Sequence, residues 1–363
     1  MAPLALGKQD TFVYLEGSML KRYTVSTRTT TEIVPLPSSQ IAWANMSADG
    51  QWVMYVGNVG DSGQRGIQLV RLDGQGLQTL YCSGDFGWMQ LSPDNKYVAF
   101  IDMGTPGSYP SKWTFKLLNT TTGTIQTKPH DSTHVLEGPV AWLDNTHLYV
   151  VSGLGPGEGS QKLSLLDINT GTIKQILDYS APNQCFDAAH SIDSTQLFTS
   201  ITSQCQVEGY TPTSNGPSSI QVQSATGGPA KTIYSTPTYA IKALRVATGT
   251  SLLLIMHNAS TETSHNGIWK VNTDGTGLTM LSSEAAIIKD PVNEEMTFAG
   301  LFGWNMDQPW ANASRDGAYY SIQVYNHAGN GSVRLLVGSM NGGAPVTVAS
   351  GPVEAPVGWT TMY

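Results

Sequence analysis

Charge is what this chain has least of. Asp, Glu, Lys and Arg make up 13% of its 363 residues, about half the roughly 25% of an ordinary soluble protein. The 19 Lys and Arg are outnumbered by 27 Asp and Glu and form no basic cluster, so nucleic-acid phosphates find no electrostatic footprint. No apolar run approaches the roughly 18 residues of a membrane span. Thr, Ser, Gly and β-branched residues crowd out the strong helix formers, which argues against long helices. Catalytic signatures are missing too: the chain has no Gly-x-Ser-x-Gly elbow, Walker loop, His-Glu-x-x-His or Cys-x-x-Cys pair. What remains is a soluble, β-rich chain with 38 glycines.

Cysteine is scarce as well, at 82, 185 and 205 only. The opening stretch from Met1 to Lys8 holds too few apolar residues for a signal peptide. Low charge with abundant Thr, Ser, Asn and Gln nevertheless fits an exported protein, extracellular, periplasmic or on a cell surface. We therefore expect an exported domain whose signal or membrane anchor lies outside this sequence, and expect it to be a monomer. In an oxidising compartment Cys185 and Cys205 should form a disulfide and Cys82 stay free. They flank a hairpin turning at Asp193-Ser194, and strict pairing would put Cys185 opposite residue 202. A bridge therefore needs a bulge or a returning loop. The other reading is three small buried hydrophobes. Asn-x-Ser/Thr sequons begin at Asn45, Asn119, Asn258, Asn312 and Asn330; they matter only in a eukaryotic secretory pathway.

An internal repeat decides the fold. A short alternating strand, a turn with Gly or Thr and a second strand recur seven times, with turn markers near 28, 75, 123, 171, 227, 275 and 342. Alternation ending in such a turn is a hairpin signal. Successive gaps are 47, 48, 48, 56, 48 and 67 residues. The residues before the first marker and after the last together make one more repeat. A period of about 48 with four short strands per unit is the mark of a β-propeller, so the expected fold is all-β, a single seven-bladed propeller over 1–363.

A second marker runs in phase. Ser47-Ala-Asp-Gly, Ser92-Pro-Asp-Asn and Ser314-Arg-Asp-Gly each lead into an apolar strand, with weaker copies at Asp144, Asp193 and Gly249. Asp accepts nearby backbone N–H groups and Gly or Asn supplies the positive φ, so these residues are turn chemistry rather than catalysts. They also lack the full Asp-box spacing of sialidases. The copies resemble the Ser-Pro-Asp-Gly repeat of TolB-like propellers, the Pro-Asp relatives of the Trp-Asp repeat proteins. Ser92-Pro-Asp-Asn comes near that motif, whereas the Ser47 and Ser314 copies carry Ala or Arg for Pro. The resemblance spans nearly the whole chain and implies the fold, on a scaffold that serves receptors, binders, lyases and hydrolases alike. It does not extend to propeller-capped prolyl peptidases, whose hydrolase elbow is missing here.

The ends fit the same scheme. Pro356-Val-Gly-Trp359 resembles Pro139-Val-Ala-Trp142, a predicted inner strand. The first blade should therefore be shared between residues 8–35 and 353–363, leaving no open edge.

Naming the strands of a blade A to D from the axis outwards, the A–B and C–D turns are tight. The B–C loops are long, at 57–66, 103–112, 152–161, 203–217 and 257–266. An insertion at 284–309, assigned to a D–A connection, shares their face and contains Phe298, Leu301, Phe302 and Trp304. It should fold back as a cap, because leaving each of these groups exposed forgoes roughly 1.5–3 kcal/mol. Loops are where a rigid scaffold places binding groups, so this face is the candidate; surface loops that merely tolerate length are the alternative.

Trp43, Trp88, Trp142, Trp310 and Trp359 recur near the starts of A strands. They either fill the space between blades or line an aromatic mouth able to stack sugars or grip a peptide. Asp85, Glu137, Asp187, Asp307 and Glu354 stand just upstream of the same strands. With Lys242, Arg245 and His190 they could ring the channel mouth, hold Ca²⁺ or do acid–base work, or be solvated loop charges. The candidate ligand site thus comprises Trp88, Trp142, Trp304 and Trp310, with Asp85, Glu137, Asp187, His190, Arg245 and Asp307. The leading expectation is a non-catalytic recognition module for a protein, peptide or glycan. The rival is a propeller enzyme, a polysaccharide lyase or glycosidase, working through those carboxylates.

Overall fold

The computed structural model describes residues 4, 7–38, 41–60, 63–104, 114–127, 137–153, 161–179, 184–203, 207–208, 211–212, 216–258, 263–298, 308–328, 331–352 and 354–362. They form seven four-stranded antiparallel sheets, a seven-bladed β-propeller. Blade 1 takes its A strand from Glu354–Met362, followed in sheet order by Gln9–Glu16, Met19–Thr24 and Thr29–Pro35. The other blades run A to D in chain order, with A strands at Ile41–Met46, Asp85–Leu91, Glu137–Trp142, Gln184–His190, Ala240–Thr248 and Glu294–Phe298. A two-residue pair, Val207–Glu208 with Thr211–Pro212, lies in the B–C loop of blade 5. No helix among the described residues is long and apolar enough to cross a membrane.

Tertiary contacts divide the chain into two compact units. One holds 1–152, 164–174 and 353–363; the other holds 153–163 and 175–352. Within each, neighbouring blades share a core. In the first unit, Met54, Val56 and Ile67 of blade 2 pack on Phe86, Val98 and Phe100 of blade 3. In the second, Leu253 and Ile255 of blade 6 pack on Phe298, Ile322 and Val324 of blade 7. The B strands Trp52–Val59, Tyr97–Gly104 and Tyr319–Asn326 are each buried over five consecutive positions, whereas the D strand Ile125–Thr127 is exposed and Thr29–Pro35 has no buried position. Runs buried on both faces are what a strand sandwiched between two other sheets requires.

The recurring Ser organises the A–B turns. Ser92 Oγ donates to Asp94 Oδ1 at 2.8 Å and accepts Tyr97 N–H at 2.9 Å, while Asn95 takes φ +60°. Ser47, Ser191 and Ser314 repeat the arrangement with Asp49, Asp193 and Asp316. These Asp residues are turn formers, as their sequence context suggests. The register about Asp193-Ser194 also holds, with Cys185 opposite Thr202. Cys205 and the Cys185 side chain lie outside the described residues. Cys82 is free and exposed.

Two expectations about loop length are corrected. Loop 57–66 contracts to 60–63, because Val59 still pairs with Gln64. The 284–309 stretch is not one D–A connection. It holds a short helix, α1 (Glu284–Ile287), and then the true A strand of blade 7, Glu294–Phe298. The last described pair of that strand is Phe298 with Ile322, and Ala313 bridges to Tyr320 just before the Ser314 turn. Residues 299–307 lie outside the described residues, and 308–312 lead up to the A–B turn. A second short helix, α2 (Pro309–Asn312), packs on the A strand of blade 6; followed directly by the Ala313–Tyr320 bridge and the Ser314 turn, it sits at the edge opposite the B–C loops.

Candidate functional site

The residues singled out from sequence are divided between the two units. Trp142 is fully buried, its Nε1–H donating to Gln90 O at 3.1 Å and its ring 6.5 Å from that of Tyr97. It is a core residue and offers a ligand no surface, because the space between blades 3 and 4 is what it fills. Trp359 is equally buried, against Phe12 at 5.3 Å. Trp88 occupies a bulge at φ +41°, a backbone conformation unusual for a large side chain. Its half-buried ring lies so close over Gly138 that a Cβ there would meet it at 3.1 Å. Trp310 belongs to α2, not to an A strand, with the Arg315 guanidinium 5.1 Å from its ring.

Two of the predicted acidic residues, Asp85 and Asp187, are engaged in fixed pairs. Asp85 accepts from Arg65 Nη1 at 2.6 Å. Asp187 accepts from Arg245 Nη1 at 2.6 Å and from Leu244 N–H at 2.9 Å, so these two predicted residues do meet. His190 is buried, its Nδ1–H donating to Ser191 O at 2.9 Å, and burial holds its pKa below the ordinary value. Glu137 opens the A strand of blade 4 opposite Ser152; its side chain, Trp304 and Asp307 lie outside the described residues. Among the described residues no three His, Cys, Asp or Glu side chains are grouped so as to hold a metal ion.

Glu354 behaves differently. It is 8% exposed and sits directly opposite Glu16 in the strand pair. Burial, and then the charge of Glu16, push its carboxyl up to about 7. A raised folded-state pKa means that the folded protein holds the proton more tightly than the unfolded chain. Stability is then fully present below the unfolded value near 4.3 and declines as pH rises through 7. We expect Glu354→Gln to match the parent at pH 4 and to exceed it at pH 8 by about 2–3 kcal/mol. Denaturant unfolding at the two pH values checks this, and an equal difference at both would refute it.

One cleft of about 520 Å³ opens where blades 6 and 7 meet. The B strand of blade 6 ends at His257, its loop returns through a 3₁₀ turn at Thr263–His265, and Asn266 ties the parts together. Asn266 Oδ1 accepts Asn258 N–H at 2.7 Å and its Nδ2 donates to Glu284 Oε2 at 2.9 Å. Gly267, at φ +151°, lets the C strand begin hard against the D strand; a Cβ there would lie 2.2 Å from Ser282 O. Glu284 at the start of α1 is thereby brought to His257, whose Nδ1 lies 3.3 Å from Oε1. Burial raises the Glu284 pKa, but His257, Asn266 and the charge of Lys242 outweigh it, so the carboxyl lies below its usual value.

On the blade 7 side, the Glu294 side chain is 7% exposed and accepts Lys289 N–H at 2.6 Å and Arg334 Nη2 at 2.8 Å. Burial raises its pKa too, and these donors overcome that and hold it low. Glu295 and His327 form a second His–Glu pair at 3.3 Å. Ile288, Pro291, Val292 and Met296 add an aliphatic part to the lining. Sequence reading delimited this place, since 257–266 and 284 bound the named loops, but it passed over His257, Asn266, Glu284, Glu295 and His327. The available signal was a His at the end of the B strand in both blades.

No protein-family model matches the chain, and no curated protein matches it in sequence. Solved structures do. An oligogalacturonate lyase in complex with manganese shares 11% identity at a TM-score of 0.59, over 93% of this chain and 95% of that one. A functionally unknown protein from Desulfotomaculum acetoxidans shares 10% at 0.55, over 98% and 99%. TolB from Acinetobacter baumannii shares 14% at 0.47, over 75% of this chain and 63% of that one, just under two thirds of its length. At these identities the likeness is one of fold, the propeller scaffold.

Proposed function

We propose that the chain is an exported recognition module that holds a peptide or glycan in the cleft between blades 6 and 7. The observation that carries this is the cleft itself, a concavity of about 520 Å³ whose polar groups are already fixed in place by Asn266, Arg334 and the two His–Glu pairs. Preset polar groups around a concave, partly apolar surface are the ordinary anatomy of a ligand site. It lies at the edge of the B–C loops, where a rigid scaffold presents variable length. The low charge of the chain supports export to an oxidising compartment.

The rival reading, a lyase or glycosidase, calls for a carboxyl poised to give up a proton near neutral pH. In the cleft Glu284 and Glu294 are both held ionised, and Asp85 and Asp187 are paired with arginines. Glu354, the described carboxyl pushed up to about 7, is buried and does not line the cleft. Binding is the function these groups serve best. Thr263 and Val292 are exposed at the lip, so replacing both with Trp should narrow the cleft at little cost in stability. Peptides and glycans screened by thermal shift should include ligands that stabilise the parent and fail to stabilise Thr263→Trp/Val292→Trp. If every ligand found stabilises both proteins equally, the site is elsewhere; if any is turned over, the module is an enzyme.

A further inference from the structure

Among the described residues, the carboxylates and amides of the cleft are already engaged, whereas its one ammonium, that of Lys242, is not. Glu284 is held by His257 and Asn266, Glu294 by Arg334 and Glu295 by His327. Asn258 and Asn293 spend their amides on Thr238 O and on Asp290. Lys242 lines the same cleft from a bulge in the A strand of blade 6, where the register slips between Ile241 and Ala243. Among the described residues its ammonium has neither an ion pair nor a hydrogen bond; it acts on Glu284 only through its field. A cation that lines a concavity with no direct partner among the described residues is a place for a ligand's anion.

The aliphatic part of the lining gives the rest of the ligand. Ile288, Pro291, Val292 and Met296 supply it, and among the described residues no Phe, Tyr or Trp lines the cleft. Val292 is 88% exposed, far more than the other large hydrophobic residues at the surface. A wall without rings offers a sugar no stacking platform, whereas it suits a branched aliphatic side chain, worth roughly 1.5–3 kcal/mol when buried. Building on the recognition reading, we infer that the cleft takes the C-terminal end of a peptide, its free carboxylate on Lys242 and an aliphatic last side chain against Ile288, Pro291, Val292 and Met296. The fixed carboxylates of Glu284 and Glu295 then face the peptide's N–H groups, which are donors only.

The probe is the tripeptide Gly-Ala-Leu, titrated calorimetrically as the free acid and as the C-terminal amide. The acid should bind the parent about tenfold or more tightly than the amide, the size of one charge-assisted contact. Lys242→Met keeps the aliphatic stem and should erase that difference while leaving the melting temperature unchanged. Gly-Ala-Gly acid should bind the parent about tenfold more weakly than Gly-Ala-Leu acid. Equal binding of acid and amide, or no binding of the acid, overturns the inference. So does a result in which trigalacturonate binds in a Lys242-dependent way and the peptide does not. In that last case binding blocked by Thr263→Trp/Val292→Trp leaves the cleft as the recognition site; ligands indifferent to that double variant would remove both.

Discussion

Deleting residues 354–363 should abolish cooperative folding or lower stability by more than about 5 kcal/mol, a large part of the 5–15 kcal/mol that a domain possesses. The strand those residues form buries Trp359 and Val357 and pairs with Gln9–Glu16 from end to end. Losing a buried Trp alone costs about 3–5 kcal/mol. Thr360 also leaves, and with it the hydrogen bond from its Oγ1 to Gly50 O at 2.7 Å, which ties blade 1 to blade 2. The strand left behind carries Phe12, Val13, Tyr14 and Leu15, all buried in the intact protein. It would become an open apolar edge, a template for aggregation. A melting temperature within a degree or two of the parent would mean that blade 1 does not depend on this strand.

Asp187→Ala should cost about 3 kcal/mol, the order seen when one member of a buried ion pair is removed. The Arg245 side chain is 9% exposed, and its guanidinium lies 5.9 Å from the Phe298 ring centroid. The substitution removes a carboxylate 2.6 Å from that guanidinium and takes the acceptor from Leu244 N–H. Desolvation already offsets much of the attraction in the intact pair, so Asp187→Ala/Arg245→Met should regain a good part of the loss. Denaturant unfolding of the parent, the single variant and the double variant decides this. A single variant within about 0.5 kcal/mol of the parent, as for an ordinary surface change, would show that the pair holds nothing together.

Sequence periodicity carried the fold because each blade repeats its own turn chemistry. The Ser-x-Asp turns and the 48-residue spacing located the sheets, and the likeness of 356–359 to 139–142 located the shared blade. The A strand of blade 7 escaped because it is short, carries two glutamates and lacks a Trp, while Trp310 stands four residues before Ser314 as Trp43 and Trp88 stand before Ser47 and Ser92. The pattern was real and its meaning was not, since Trp310 lies on a helix beside the turn. A tryptophan on a strand also reads the same whether it fills a core, as Trp142 does, or lines a mouth. The cleft was harder still. Lys242, Glu284 and His327 are far apart along the chain and meet only through the packing of two sheets, which no local pattern encodes.

The blade built from both ends of the chain also bears on the order of folding. Gln9 pairs with Met362, so residues 9–35 are synthesised long before the strand that completes their sheet. Contacts of such sequence separation form slowly, because the loop-closure entropy must be met before the pairing repays it. Blades 2 and 3, each a continuous stretch, can form as the chain emerges, whereas blade 1 waits. Pulse-labelling hydrogen exchange should find the amides of Phe12–Leu15 among the last to gain protection. A circular permutant that places 354–362 directly ahead of Gln9 would turn this slowest pairing into a local hairpin and speed the final step.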